Sequence, residues 1–240
     1  MTNDTIFSEQ QKIKDFRFNK EVATVFEDMV SRSVPFYQEI QRMVIEQSKN
    51  YAQEGSKLYD LGCATGTTLD ALDAEIISSV AFVGIDNSPD MLRRYCDKLS
   101  VGEHNQIPEL ICADLNGPLH ITDASVVLLI LTLQFIRPLN RKDLLTTICN
   151  GLRQGGCLLL VEKVLENDTQ LNRDFIEYYY NMKKRHNYSE LEIEQKRKAL
   201  ENVLIPYTLS ENIQLLTDTG FSSVSVFFKW YNFCGLVAIK

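Results

Sequence analysis

A chain of 240 residues, 45% hydrophobic and 24% charged, has the composition of an ordinary soluble globular domain and can bury one sizeable core. Its formal net charge of -7 supplies no global positive field for nucleic acid or an anionic membrane, so neither is an expected partner. The opening "MTNDTIFSEQQKIKDF" lacks the apolar run of a signal peptide, and no later stretch is apolar and long enough to span a bilayer; the expectation is a cytoplasmic protein.

In chain order, residues 6–50 read as helices laid over the front of the domain. The apolar runs "KLYDLG" (57–62), "VAFVGID" (80–86), "ELICADL" (109–115), "SVVLLILTLQF" (125–135) and "GCLLLVEKV" (156–164) read as strands buried on both faces. Between them lie the helices "TTLDALDAEI", "SPDMLRRYCDKL" with Ser88 as N-cap, and "NRKDLLTTICNGL", the last stopped by "RQGG". A helical insertion follows over 168–205, and then "GFSSVSVFFKWYNFCGLVAIK", whose alternation predicts a closing antiparallel hairpin. The fold class is α/β, a Rossmann-like and mostly parallel sheet. No linker or repeat divides the chain, so 1–240 is read as one domain. The six cysteines, Cys63, Cys96, Cys112, Cys149, Cys157 and Cys234, have neither CxxC nor zinc-like spacing and are expected to be buried, reduced thiols.

Ligands of doubly wound sheets sit beyond the carboxyl ends of the strands. The first run there ends in Asp60, Leu61, Gly62, Cys63, Ala64, Thr65 and Gly66, the second in Asp86 and Asn87, the third in Asp114 and Leu115. Gly62 and Gly66 allow a tight turn whose N–H groups can approach an anionic group, helped by the following helix N-terminus. The GxGxxG spacing that suits a pyrophosphate is missing, which favours a carboxylate-bearing ligand over a dinucleotide. Asp86, twenty residues beyond Gly66, is placed to accept from both ribose hydroxyls, and Asp114 from an exocyclic amine. Any one of these acids alone could simply cap a loop. Three in register describe S-adenosyl-L-methionine, with its methionine end in the glycine loop.

With these residues the chain resembles the class I S-adenosylmethionine-dependent methyltransferases and, more narrowly, the carboxy-S-adenosyl-L-methionine synthase family. The resemblance runs nearly end to end, through "DTIFS", "VFEDMVSRSVPFY", "YDLGC", "GIDNSPDM", "ASVV", "TLQF", "YSELEIEQKR", "LENV" and the closing "NFCGLVAIK". It implies that S-adenosyl-L-methionine and prephenate yield carboxy-S-adenosyl-L-methionine and phenylpyruvate, a supply of carboxymethyl groups for wobble uridine in tRNA. It also implies a homodimer, cofactor contacts at Tyr37, Gly62, Cys63, Ala64, Asp86, Asn87, Asp114 and Leu115, and a carboxylate clamp at Arg197. Three positions depart from the family pattern: Ala64 in place of Ser, Ile130 in place of Asn near the reacting centre, and Lys229-Trp230 near the C-terminus.

The new carboxylate requires a fixed cation, and Arg suits it through its planar fork and permanent charge. Arg197 falls within the stripe of Ile193, Leu200 and Leu204 on a helix opened by a capping box, Ser189 with Glu192. Lys196 and Lys198 are expected to face solvent, as is "MKKRH" (182–186), for which an anion-binding or RNA contact is the lesser reading. Of Tyr178, Tyr179 and Tyr180 at most two can line a pocket. Gln134 follows the fourth strand and is placed to reach the open face of the site. No histidine is assigned as a general base. Two other readings keep the same scaffold: a small-molecule methyltransferase, which Ile130 would suit, and a non-catalytic S-adenosylmethionine-binding subunit.

Overall fold

Eight strands form one sheet in the computed structural model, which describes residues 2–76 and 79–240. The parallel strands are β1 (Lys57–Leu61), β2 (Ala81–Asp86), β3 (Glu109–Cys112), β4 (Ala124–Ile130) and β5 (Leu152–Leu165). The short β6 (Tyr207–Thr208) pairs with the end of β5, and β7 (Ser223–Trp230) and β8 (Phe233–Ile239) form the antiparallel hairpin. The order is β3-β2-β1-β4-β5-β8-β7, reversing direction at β1.

Alternate residues of each central strand feed opposite cores, as the period of two requires. Leu58, Val126, Leu128 and Leu159 pack on one face beneath α2 (Tyr37–Tyr51), α3 (Thr67–Asp73) and α4 (Pro89–Val101). Tyr59, Val127, Leu129 and Leu158 pack on the other, against α5 (Pro138–Gly151) and α8 (Leu209–Asp218). Ser88 caps α4, its hydroxyl accepting from the Met91 N–H at 3.2 Å. The insertion forms α6 (Thr169–Arg185) and α7 (Glu190–Leu200), and α7 carries the expected capping box. Among the described residues, no helix is long and apolar enough to cross a membrane.

Several boundaries differ from expectation. Helix begins only at α1 (Lys20–Ser33); residues 6–19 form an irregular strap. The strap's backbone bonds to α7 instead of to itself: Gln195 donates to the carbonyls of Phe7 and Glu9 and accepts from the Gln11 N–H, and the Phe16 N–H meets the Ala199 carbonyl. "RQGG" lies inside β5 as a bulge, because Arg153 chelates the Asp123 carboxylate at 2.6 and 2.9 Å and reaches the carbonyls of Glu54 and Gly55. The fourth apolar run divides into β4 and a 3-10 turn, Leu133–Phe135. All six cysteines carry free thiols, but Cys96 and Cys112 are exposed rather than buried.

That 3-10 turn is held by two buried ionic side chains. The Glu162 carboxylate accepts from the N–H groups of Leu133 (2.9 Å) and Gln134 (2.8 Å). Arg141, 1% exposed, donates to the carbonyls of Ile136 and Ile205 at 3.0 and 2.6 Å. Glu162→Gln would aim an NH₂ at one of the two N–H donors, and is expected to cost about 1 to 3 kcal/mol of stability. The measurement is urea unfolding, and an unchanged midpoint would refute the proposed clamp.

Candidate active site

A cavity of about 760 Å³ opens at the carboxyl ends of the strands, in the size range of small-molecule sites. Its first wall is the loop after β1. Gly62 (φ 83°) leaves no room for a side chain, since a Cβ there would lie 2.4 Å from the Thr132 hydroxyl in the loop after β4. Ala64 (φ 47°) and Leu131 (φ 60°) hold strained left-handed conformations in these same two loops.

The backbone of the glycine loop does not stay free for a ligand as the sequence led us to expect. The N–H groups of Gly62 and Cys63 both reach the Ile85 carbonyl, that of Ala64 reaches Asp86 Oδ2 (2.9 Å), and that of Gly66 reaches the Cys63 carbonyl. The β1–β2 ladder continues past the strand end and consumes these donors. Gly66 is not part of the cavity wall: a Cβ there would lie 2.1 Å from the Tyr95 ring, so this glycine serves close packing behind the loop.

The loop end of the cavity instead presents carboxylates. Asp86 is buried, with Oδ1 accepting from Ser88 N–H (2.8 Å) and Oδ2 from Ala64, and burial raises its pKa. Asp60 is 2% exposed, lines the cavity and makes no hydrogen bond among the described residues. Desolvation, with the Asp86 charge adding to it, pushes its pKa up to about 7. Asn87, Asp114 and Leu115 line the same end; Asp114 Oδ1 accepts from the backbone and side chain of Asn116. Cys63 also lines the wall, but burial raises its thiol far from the reactive range.

Tyr37, at the start of α2, and Ile130, at the end of β4, contribute to the cavity's middle. Gln134 borders the cavity, yet its amide is spent on the Leu131 carbonyl and the Lys163 N–H, so it supports the wall rather than reaching across the open face. Lys229 and Trp230 lie at the hairpin, where Lys229 pairs with Glu166 at 2.9 Å; neither borders the cavity.

Basic side chains line the same cavity. Arg197 lines it, exposed and making no ion pair among the described residues, and its charge opposes the rise that burial imposes on the neighbouring Tyr180 hydroxyl. Three lysines missed by sequence reading join it: Lys163 on β5, Lys183 on α6 and Lys196 on α7. Lys183 and Lys196 are buried, contrary to the solvated placement expected of both. The signal was present, because positions 196 and 197 flank Ile193 at i+3 and i+4, and Lys183 follows Tyr179 by four. Lys198 is exposed and pairs with Glu194. Tyr179 and Tyr180 line the cavity, whereas Tyr178 packs outside it on Tyr231.

A family model described as a methyltransferase domain matches residues 59–158. A carboxy-S-adenosyl-L-methionine synthase of Methylococcus capsulatus is 51% identical over 242 residues, covering 100% of both chains. One from Desulfotalea psychrophila is 43% identical, covering 99% of this chain and 97% of its own. Among solved structures, the S-adenosylmethionine-dependent methyltransferase SibL superposes with a TM-score of 0.66 at 14% identity, over 99% of this chain and 65% of its own. A Methanococcus maripaludis S-adenosyl-L-methionine-dependent methyltransferase gives 0.62 at 17% identity, over 96% and 97%. These two likenesses establish the class I methyltransferase fold.

Asp60 gives the site a pH signature. The folded chain holds its proton up to about pH 7, whereas an ordinary Asp releases it near 3.8. This stabilisation is complete below the lower value and is lost as the pH rises through the upper one. Asp60→Asn cannot ionise, so it is expected to match the parent chain near pH 4 and to exceed its stability by about 1 to 4 kcal/mol above pH 8. Urea titrations at the two pH values measure this, and an equal difference at both would contradict it.

Proposed function

Because the chain belongs to the carboxy-S-adenosyl-L-methionine synthase family, we propose that it transfers a carboxyl group from prephenate to the sulfonium methyl of S-adenosyl-L-methionine: a methyl C–H bond and the prephenate C–carboxyl bond break, the new C–C bond forms, and the methyl proton and the ring hydroxide leave as water, giving phenylpyruvate. The observation that carries this reading is that one cavity is lined both by the strand-end acids Asp60, Asp86 and Asp114 and by the cations Lys163, Lys183, Lys196 and Arg197. S-adenosyl-L-methionine supplies a methyl group whose protons the adjacent sulfonium acidifies.

The donor set suits that molecule. Asp60, buried and without a protein partner, is fitted to the ammonium of the methionine end. Asp86 has lone pairs left over from Ala64 and Ser88 for the ribose hydroxyls, and Asp114 takes the adenine amine. Tyr37, Asn87 and Leu115 pack about the nucleoside, with Gly62, Cys63 and Ala64 against the methionine end. Ile130 makes the reacting centre apolar and keeps water from it, and Arg197 clamps the new carboxylate. A plain methyltransferase would tolerate Ile130 but has no use for Lys163, Lys183, Lys196 and Arg197 lining one cavity. The product serves as a carboxymethyl donor for wobble uridine in tRNA, and the setting is the cytoplasm.

We further propose a homodimer, favoured by the exposed apolar side chains Leu171, Tyr178, Val226 and Tyr231 on α6 and the hairpin. Sedimentation should report twice the 27.5 kDa chain mass, and a species of single mass would remove the claim.

The decisive test is native mass spectrometry after expression in a prephenate-producing host. The parent chain is expected to carry carboxylated nucleoside. In Arg197→Leu the ratio of carboxylated to plain nucleoside should fall about tenfold, the loss of one exposed but bidentate charge pair. If the parent chain carries only uncarboxylated nucleoside and makes no carboxylated product from added prephenate, the synthase reading fails.

A further inference from the structure

Arg197 is placed for the carboxylate that is transferred, which leaves three lysines unexplained. Lys183 is 4% exposed, and its ammonium makes no hydrogen bond or ion pair to the described residues. Its ammonium stands between two tyrosine rings, 5.6 Å from the centroid of Tyr179 and 5.1 Å from that of Tyr188. Lys163 also meets Tyr179, 5.0 Å from its centroid, and its charge acts on Lys183; Lys196 stands 5.4 Å from Tyr188. Lys196 has partners, Ser33 Oγ at 3.1 Å and Asp4 Oδ2 at 3.6 Å. Lys163 and Lys183 have no carboxylate within ion-pair distance among the described residues.

Cations removed from water need an anion or a dense set of acceptors. Ring faces contribute only about 0.5 to 2 kcal/mol each, far short of the desolvation of an ammonium. The deficit shows in the ligand-free chain: burial pulls Lys183 down to about 7 and Lys163 down to about 8. Around Lys183 the facing charges are Lys196 and Lys163, which depress it further, and Asp4 and Glu192, which oppose the fall. All three lysines border the cavity, from three different elements.

We infer that Lys183 and Lys163 form a second carboxylate subsite, which holds the carboxylate of the donor substrate that is not transferred and is kept by the α-keto acid product. The subsite rests on the reading that prephenate, a dianion, is the donor. It separates the two carboxylates by function: Arg197 at the exposed rim receives the one that moves, and the lysines hold the one that stays. Tyr179, whose ring lies against both lysines, offers an apolar face to the six-membered ring between the two carboxylates.

The test uses the full chain with phenylpyruvate as a calorimetric probe, and steady-state kinetics with prephenate and S-adenosyl-L-methionine. Lys183→Met is expected to weaken phenylpyruvate binding and raise the KM for prephenate by about tenfold or more, with the KM for S-adenosyl-L-methionine within about twofold of the parent. Lys183→Arg, which keeps the charge, should recover most of the loss. If Lys183→Met does not fold, Lys163→Met reads the same subsite. Undiminished phenylpyruvate binding in a folded methionine variant, or equal rises in both KM values, overturns the assignment. A parent chain that binds phenylpyruvate through Lys183 yet makes no carboxylated product would sink the synthase reading and leave the subsite standing.

Discussion

The reversal of strand order at β1 is the constraint on which the rest of the molecule depends. β2 is laid on one side of β1 and β4 on the other, so the loops that leave β1 and β4 part company and open a crevice between them. The crevice has a floor because the two loops still touch at their base, Gly62 against Thr132. Its sides stay in place because the Asp86 carboxylate ties the first loop to the next helix, and Glu162 with Arg141 ties the turn after β4 to the core. Left-handed backbone at Ala64 and Leu131 shows the strain that this arrangement sustains.

Around this crevice the chain places charge of both signs. Asp60, Asp86 and Asp114 come from the rigid strand ends, and Lys163, Lys183, Lys196 and Arg197 from β5 and the two insertion helices. Each set is costly alone: Asp60 and Asp86 repel one another, and three ammonium groups crowd two tyrosine rings. A ligand set that is positive toward the acids and negative toward the lysines relieves both at once.

Much of this was legible in the chain itself. Apolar runs located the five parallel strands, and the acids at their ends line the cavity that opens there, because strand burial leaves a plain one-dimensional trace. The strap over residues 6–19 was not legible, since its backbone bonds depend on Gln195 and Ala199, some 180 residues away. Nor was the destination of the glycine-loop N–H groups, which depends on how far the β1–β2 ladder runs. The buried lysines escaped for a different reason. Charge is ordinarily read as solvent-facing, and helical phase alone cannot say which of two adjacent cations, Lys196 or Arg197, will be covered by a neighbouring segment.

The strap has a consequence for how the chain comes into being. Its partners on α7 are translated more than 180 residues after it, so through that interval of synthesis the strap lacks the bonds that Gln195 gives it and has only its contacts with nearer elements. The sheet around β1, β2 and β4 can assemble from contacts much closer in sequence, while one edge of the cavity waits for the last quarter of the chain. Contacts so distant carry the largest loop-closure cost, which makes this edge a late step in folding and an early one in local opening. The cavity is therefore completed by joining two segments far apart in the chain, and a nascent chain released before α7 would hold at most the five parallel strands beneath an unroofed cavity.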